Sequence, residues 1–521
     1  MTATQTPHSV VALDPLKGDL SSHQVIFSYG VADGLLYRQL KKWLQQDLEH
    51  YLVFIEDDEE LFLRMKSSPM FQDPKVRLYF YQEHSEELFK EIAWEFLFLK
   101  FTFAASSPYA SLKEEKMHEL FSQLEYYQQG VNLLASDAQD MGVRVLKNTV
   151  ANQKKMGSAR LGSALEGKCR GMPAILCGAG PSLNAALPLL KELENRALII
   201  AGGSSVAALS ASLVRPHFCA HFDPDPPKSR ILSQGNFEVP LFYQNRFSSS
   251  LLEMADGPLL WMAEGGSYVI ERWFQEKYGI SLEPFNAGWT VSNFAAAIAL
   301  MLGCNPIICV GMDFSFPADE MYAQGITESA CQKDLILVKD AAGNPVYSKK
   351  DWVMSAEWMG AFAAAHPDVR WIHAQEGGLN LSGFERLSFA EIKDQCFMEE
   401  KDLTGYVHSL VSSCESTNIT AETSIETCKA LKESFERTDR AVDLMLELWE
   451  KYYPKSPMET GQYALIENDL SQEPAYTCFI EPLWQIWKRP ILRNFMHPFE
   501  HAVHHLLFIK RAVEANLGAF S

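Results

Sequence analysis

The residues best suited to chemistry lie in one short run, Cys177-Gly-Ala-Gly-Pro-Ser-Leu183, which follows the apolar stretch Ala174 to Cys177 and precedes a helical stretch from Asn184. Gly178 and Gly180 lack a Cβ, so the chain can turn tightly there and approach another group closely. Pro181 suits a first helical turn, where its missing N–H would be unpaired anyway. Ser182 offers a hydroxyl and an N–H at the positive end of a helix, a setting that favours phosphate oxygens. No Lys follows the glycines, so this is not a Walker loop. The functional reading is a phosphate cradle in which a side chain at Gly180 would fill the ligand's space; the plain alternative is a tight strand-to-helix turn.

Three further strand ends carry polar groups. Ile199-Ile-Ala-Gly-Gly-Ser-Ser205 ends in small hydroxyl residues, among them Ser204. Arg215-Pro-His-Phe-Cys-Ala-His-Phe-Asp-Pro-Asp225 ends in Asp223 and Asp225, whose i, i+2 spacing on extended chain would point both carboxylates to one side, toward a metal or a ribose diol. Pro226 and Pro227 make a structural turn the competing account. Phe285-Asn-Ala-Gly-Trp-Thr-Val-Ser292, with Asn286 and Thr290, opens the apolar helix Asn293 to Leu302, which leads through Ile307 to Val310 into Gly311-Met-Asp-Phe-Ser-Phe316. Asp313 just past that strand could accept from sugar hydroxyls or a base amino group. In open α/β sheets ligands bind at these carboxyl ends.

The elements that position these groups fall into four zones. Residues 1–83 read as a small Rossmann-like domain: the apolar runs Gln24 to Tyr29, Tyr51 to Ile55 and Val76 to Phe80 surround the helical stretch Leu35 to Leu48, and Gly30 and Gly34 do not complete a dinucleotide fingerprint. Residues 84–165 read as a helical connector, with helices expected over Ser85 to Phe103 and Leu112 to Gln129. Residues 166–398 alternate strands with helices as the central catalytic domain, and several strands are the continuous apolar runs of a sheet covered on both faces. Residues 399–521 lack a good strand and read as a helical C-terminal region. The fold class expected is α/β, with a Rossmann-like central domain.

At these residues the chain resembles the domain shared by motility-associated-factor (Maf) glycosyltransferases and MptE-like 6-hydroxymethylpterin diphosphokinases. The resemblance runs from 170 to about 395 and rests on CGAGPSLN, the Arg215 to Pro224 stretch, Thr290 to Phe314, and Ile372-His-Ala-Gln-Glu-Gly-Gly378 with Ser382-Gly383. The glycine run and GxDF are also similar to those of bacterial CMP-sialic-acid-dependent sialyltransferases. That likeness implies that Gly178, Gly180 and Ser182 face phosphate or ribose and Asp313 the nucleoside; Pro181, Ser204, Asp223, Asp225, Asn286 and Thr290 join them as ligand contacts from their places at the strand ends. It further implies a tyrosine on the departing phosphate and a catalytic histidine; Ser315 stands where one tyrosine would be, which leaves Tyr322, and His373, with Glu376 beside it, is the histidine candidate, His366 being another.

The activity implied is a glycosyltransferase that moves a nucleotide-activated sugar, a CMP-linked nonulosonic acid above all, to a protein or glycan hydroxyl, with no cofactor and no metal. Its rivals are pyrophosphoryl transfer from ATP, with Mg²⁺ on Asp223 and Asp225, and a non-catalytic accessory protein with a degraded site. A net charge of −20 disfavours broad nucleic-acid binding. Ten scattered cysteines without a CxxC pair favour reduced thiols in a cytoplasm, and no stretch reads as a membrane span. His501 and His505 could grip a metal at i, i+4, but no carboxylate motif accompanies them, and a helix surface is the simpler account.

Overall fold

Alternate residues of the central strands enter two different cores, which is why those strands read as unbroken apolar runs. Leu176, Ile200, Ala220, Phe242 and Cys309 pack on one face with helix Val291–Met301, whereas Ile175, Ile199, Cys219, Leu241 and Ile308 pack on the other with helices Leu183–Leu193 and Ser205–Ala211. The computed structural model describes residues 20–82, 85–227, 235, 237–264, 269–317, 321–324, 326, 335–374, 377–395, 397, 399–492, 495 and 497–520. It divides into two compact units, Met1–Asp137 and Ala138–Ser521.

The first unit is a four-stranded parallel sheet of β1 (Val25–Tyr29), β2 (Tyr51–Glu56), β3 (Val76–Phe80) and β4 (Phe101–Ala105), in the order β3-β2-β1-β4. β4 corrects the expectation of one helix over Ser85 to Phe103. The helix occupies Glu86–Glu95 and stops where Phe98 turns left-handed at φ +63, its N–H capped 2.8 Å away by Asn132 Oδ1. Phe101, Thr102 and Phe103 then have the aromatic and branched shapes that suit a strand. The stretch read as a connector thus completes the N-terminal sheet, and a 39-residue helix, Glu114–Asn152, follows it.

The second unit holds a nine-stranded parallel sheet: β5 (Arg160–Leu161), β6 (Ala174–Cys177), β7 (Leu198–Gly202), β8 (Phe218–His221), β9 (Leu241–Tyr243), β10 (Leu259–Trp261), β11 (Ile307–Val310), β14 (Trp371–Ala374) and β15 (Glu385–Leu387). Their order is β15-β14-β11-β6-β7-β8-β9-β10-β5, a Rossmann-like α/β sheet. A separate antiparallel ribbon joins β12 (Leu335–Lys339) to β13 (Pro345–Lys349), and the sequence reading did not contain it. Past residue 398 the described residues contain helices and no named strand. Helices Ala421–Tyr452 and Pro498–Leu517 share their core with Val145, Ile270 and Phe274, so the helical region and the sheet domain pack as one body. Among the described residues, no helix is long and apolar enough to cross a membrane.

One buried carboxyl in this unit carries a stability consequence. Glu271 is 2% exposed; its Oε1 accepts from Asn245 Nδ2 at 3.0 Å and Trp261 Nε1 at 3.1 Å. Its Oε2 and Asn245 Oδ1 are both buried acceptors with no donor. Burial, aided by the negative charge of Glu264, pushes the Glu271 carboxyl up to about 8. Because its folded pKa is raised, the stability it contributes is complete below the ordinary carboxyl range and is lost as pH rises from there through about 8. Glu271→Gln, which carries its own N–H donors, is therefore expected to match the parent near pH 5 and exceed it near pH 9 by on the order of 4 kcal/mol. Chemical denaturation at the two pH values measures this.

Candidate functional site

The strand order of the large sheet reverses between β6 and β11: from β6 the chain steps outward through β7, β8, β9 and β10, then returns to place β11 on the other side of β6. A crevice at the carboxyl ends of such a pair is where open α/β sheets bind ligands. Gly178 to Ser182 leave β6 there, and Gly311 to Asp313 leave β11 beside them. The two turns form a joint. Gly178 N donates to Val310 O at 2.8 Å and Gly180 N to Gly311 O at 2.8 Å. Asp313, 5% exposed, accepts from Ser182 N through Oδ2 at 2.9 Å and from the Ser182 hydroxyl through Oδ1.

This geometry changes what the glycines are for. A Cβ on Gly178 would lie 2.3 Å from Gly311 O, and one on Gly180 would lie 2.5 Å from Asp313 Oδ2. Gly311 turns at φ +65, where its own Cβ would meet Gly178 O at 2.7 Å. The missing side chains are required by the opposing turn. The N–H groups of Gly178, Gly180, Ser182, Leu183 and Asn184 all have protein acceptors. Pro181 supplies no N–H and sits half-buried at the turn.

Other segments converge on the joint. Ala323 N donates to Ala179 O at 2.9 Å and Gln324 N to Asn184 Oδ1 at 2.8 Å, which sets Tyr322 beside the glycine run. Leu379 N donates to Asp313 O at 2.9 Å. Phe314 holds a left-handed φ of +49, and its carbonyl accepts from the Ser348 hydroxyl at 2.7 Å. Phe316 pairs with Tyr347 of β13. The ribbon thereby delivers Lys349, Asp351 and Trp352, which sequence reasoning missed. Their one signal was a tryptophan within a charged Lys349-Lys350-Asp351-Trp352 run. Trp352 meets Phe316 and Tyr322 edge-on, with ring centroids 5.9 and 6.0 Å away, and Lys349 Nζ lies 5.2 Å from its ring. Burial raises the Asp351 carboxyl pKa, and Lys349 opposes the shift.

Of the remaining candidates, Thr290 caps helix Val291–Met301 in a reciprocal box with Asn293, and its hydroxyl lies 2.7 Å from Ser355 Oγ. Asn286 is exposed and accepts from Gly288 N at 3.1 Å, closing the preceding turn. Ser204 stands at the N-cap position of helix Ser205–Ala211, at the carboxyl end of β7, without a side-chain capping bond. Asp223 Oδ1 accepts from Asp225 N at 2.9 Å, while the Asp225 carboxylate is ion-paired with Arg144, so the two acids are not presented as a matched pair. Ser315 is buried and bonds back to Asp313 O, so its position faces the interior. Glu376 lies outside the described residues.

Of the histidines, His373 reaches the joint, its ring bonded to the backbone of Met312 beside Asp313, and the others lie elsewhere. His373 is the third residue of β14, 1% exposed and 6.2 Å from the Phe384 ring; burial, helped by Arg386, lowers its pKa to about 3. The ring is held neutral by this burial, and its Nε2 has no hydrogen-bond partner among the described residues. His366 precedes β14 at the opposite edge of the sheet and bonds Phe362 O through Nδ1 at 2.8 Å. His501 bonds Phe495 O at 2.9 Å, His505 stacks on Trp484, and the described residues hold no cluster of three metal-ligating groups.

In the N-terminal unit the equivalent crevice is filled from within. Tyr109 packs against Gly30, where a Cβ would lie 2.6 Å from its ring, and its hydroxyl bonds the buried Glu56. Glu56 also accepts from Val31 N at 3.0 Å, and Asp57 pairs with Lys113 and Lys116 at 2.6 and 3.0 Å. The strand-and-acid outline seen in the sequence here serves internal closure.

Residues 147–319 match the family model described as 6-hydroxymethylpterin diphosphokinase MptE-like, a span that contains both halves of the glycine–aspartate joint. The fold is similar to that of a Maf glycosyltransferase from Magnetospirillum magneticum AMB-1: 14% identity, TM-score 0.53, over 95% of this chain and 78% of that one. Among curated proteins, none matches the sequence significantly.

The joint makes a direct prediction. Asp313→Asn turns one acceptor into a donor that faces the donors of Ser182, so it is expected to lower stability by about 1–3 kcal/mol. Ser182→Ala removes one bond to the same carboxylate, and the double variant should lose less than the two singles combined. Denaturation of the three variants measures the coupling.

Proposed function

We propose that the central domain transfers a sugar from a nucleotide-activated donor, a CMP-linked nonulosonic acid, to a hydroxyl of a protein or glycan. The observation that carries this reading is the convergence of Tyr322, Lys349 and Trp352 on the glycine–aspartate joint at the β6–β11 switch point. The likeness in fold to a Maf glycosyltransferase supports the same class of reaction.

The joint fixes the floor of the site. Most of its backbone donors already have protein acceptors, so side chains around it add the ligand's contacts. Trp352 offers a half-buried aromatic surface for a base. Lys349 supplies a cation and Tyr322 a phenol for the phosphate, whose negative charge grows as the glycosidic bond breaks. Ser204 and Thr290 lie at neighbouring edges as hydroxyl contacts to the ribose or the sugar. Because this set meets phosphate with an ammonium and hydroxyls, transfer requires no divalent cation. The acceptor is a protein or another glycan, and the cytoplasm is the compartment in which nucleotide sugars would reach it.

A panel of CMP, CDP, UDP, GDP and ATP with Mg²⁺ in a thermal-shift assay tests the reading. CMP is expected to stabilise the protein by about 2.7 kcal/mol at roughly 100 times its dissociation constant. EDTA should leave that shift unchanged, and Lys349→Ala should weaken it. Stabilisation by ATP and Mg²⁺ alone would favour pyrophosphoryl transfer, and no shift with any nucleotide would favour a non-catalytic role.

A further inference from the structure

We propose that Asp351 is the general base of the transfer, taking the proton from the acceptor hydroxyl; this rests on the transferase reading above. Asp351 is the second residue of helix Lys350–Ala365, which begins where the β13 ribbon ends. Two contacts bracket its position. Ser355, one turn further on the same face, is buried and bonds both Thr290 and Asn293, each at 2.7 Å. Trp352, the next residue, packs on Phe316 and Tyr322. Asp351 therefore lies between the turn that carries Thr290 and the segment that runs beside the glycine loop, at the carboxyl edge of the sheet.

The other acids near the joint are already paired, and the histidine beside it is buried. Both Asp313 oxygens accept from Ser182, Asp225 is paired with Arg144, and His373 is sealed in the core. Asp351 is half-buried at a helix start, where the backbone N–H groups of Asp351 and Trp352 bond its carboxyl and Lys349 lies near; burial outweighs them and holds the carboxyl above the ordinary range. A carboxylate so desolvated is a better proton acceptor than one in water. In the step, the acceptor oxygen bonds to the anomeric carbon while its proton passes to Asp351. The bond between that carbon and the phosphate oxygen breaks, and its electron pair leaves on the nucleoside monophosphate.

The test measures release of free nucleotide from CMP-N-acetylneuraminic acid, UDP-glucose and GDP-mannose, with water as acceptor, for the full chain and for Asp351→Asn and Asp351→Glu. Affinity for CMP and melting temperature are measured alongside. Asp351→Asn is expected to bind CMP within about twofold of the parent and release nucleotide at least roughly 100-fold more slowly, with Asp351→Glu recovering part of the rate. Release by Asp351→Asn at the parent rate removes the base while leaving the transferase reading intact. Joint loss of CMP affinity and melting temperature assigns Asp351 to structure instead. Release of nucleotide from none of the donors by the parent overturns the transferase reading and the base with it.

Discussion

The site depends on two turns that must lie closer together than side chains allow. Gly178 and Gly180 on one side and Gly311 on the other bring the ends of β6 and β11 into backbone contact, and Asp313 closes the joint by accepting both donors of Ser182. A Cβ at either glycine of the first turn would strike the second. The strand order then decides that this joint sits at the switch point, where the chain reverses its direction of travel across the sheet.

From the joint outward, the structure is a series of dependent placements. Asp313 fixes where Phe314 turns, and Phe314 O takes the Ser348 hydroxyl, which anchors the end of the ribbon. The ribbon sets the start of helix Lys350–Ala365, and Ser355 ties that helix to the Thr290 turn. A left-handed non-glycine residue such as Phe314 carries a conformational cost of order 1–2 kcal/mol, tolerated where the surroundings over-determine it. Here the surroundings are hydrogen bonds on both sides, from Leu379 to Asp313 O and from Ser348 to Phe314 O.

Much of this was legible in the sequence because it depends on local chemistry. Continuous apolar runs located β6, β7, β8, β9, β10 and β11, and the glycine run and GxDF marked the two ends that meet. Their meeting was also the limit of that reading. Gly180 and Asp313 each look like ligand contacts when read alone, and only their distance shows that they contact each other. β4 was hidden because Glu86 to Phe103 carries helix formers up to Glu95 and no glycine or proline where the helix ends; a left-handed Phe98 ends it instead. His373 was a candidate through the family likeness alone, and the alternation of β14 buries its ring against the backbone of Met312. Lys349, Asp351 and Trp352 carry no motif, since their placement follows from a ribbon docking at residue 316, far from the glycine run in sequence.

The central claim is that a nucleotide binds at the β6–β11 switch point, on the floor made by the glycine–aspartate joint. Hydrogen–deuterium exchange with and without saturating CMP tests it most directly. The account predicts slowed exchange in three segments together: 178–184, 311–317 and 347–353. Protection confined to the N-terminal unit or the helical C-terminal region, with those three segments unchanged, would contradict it.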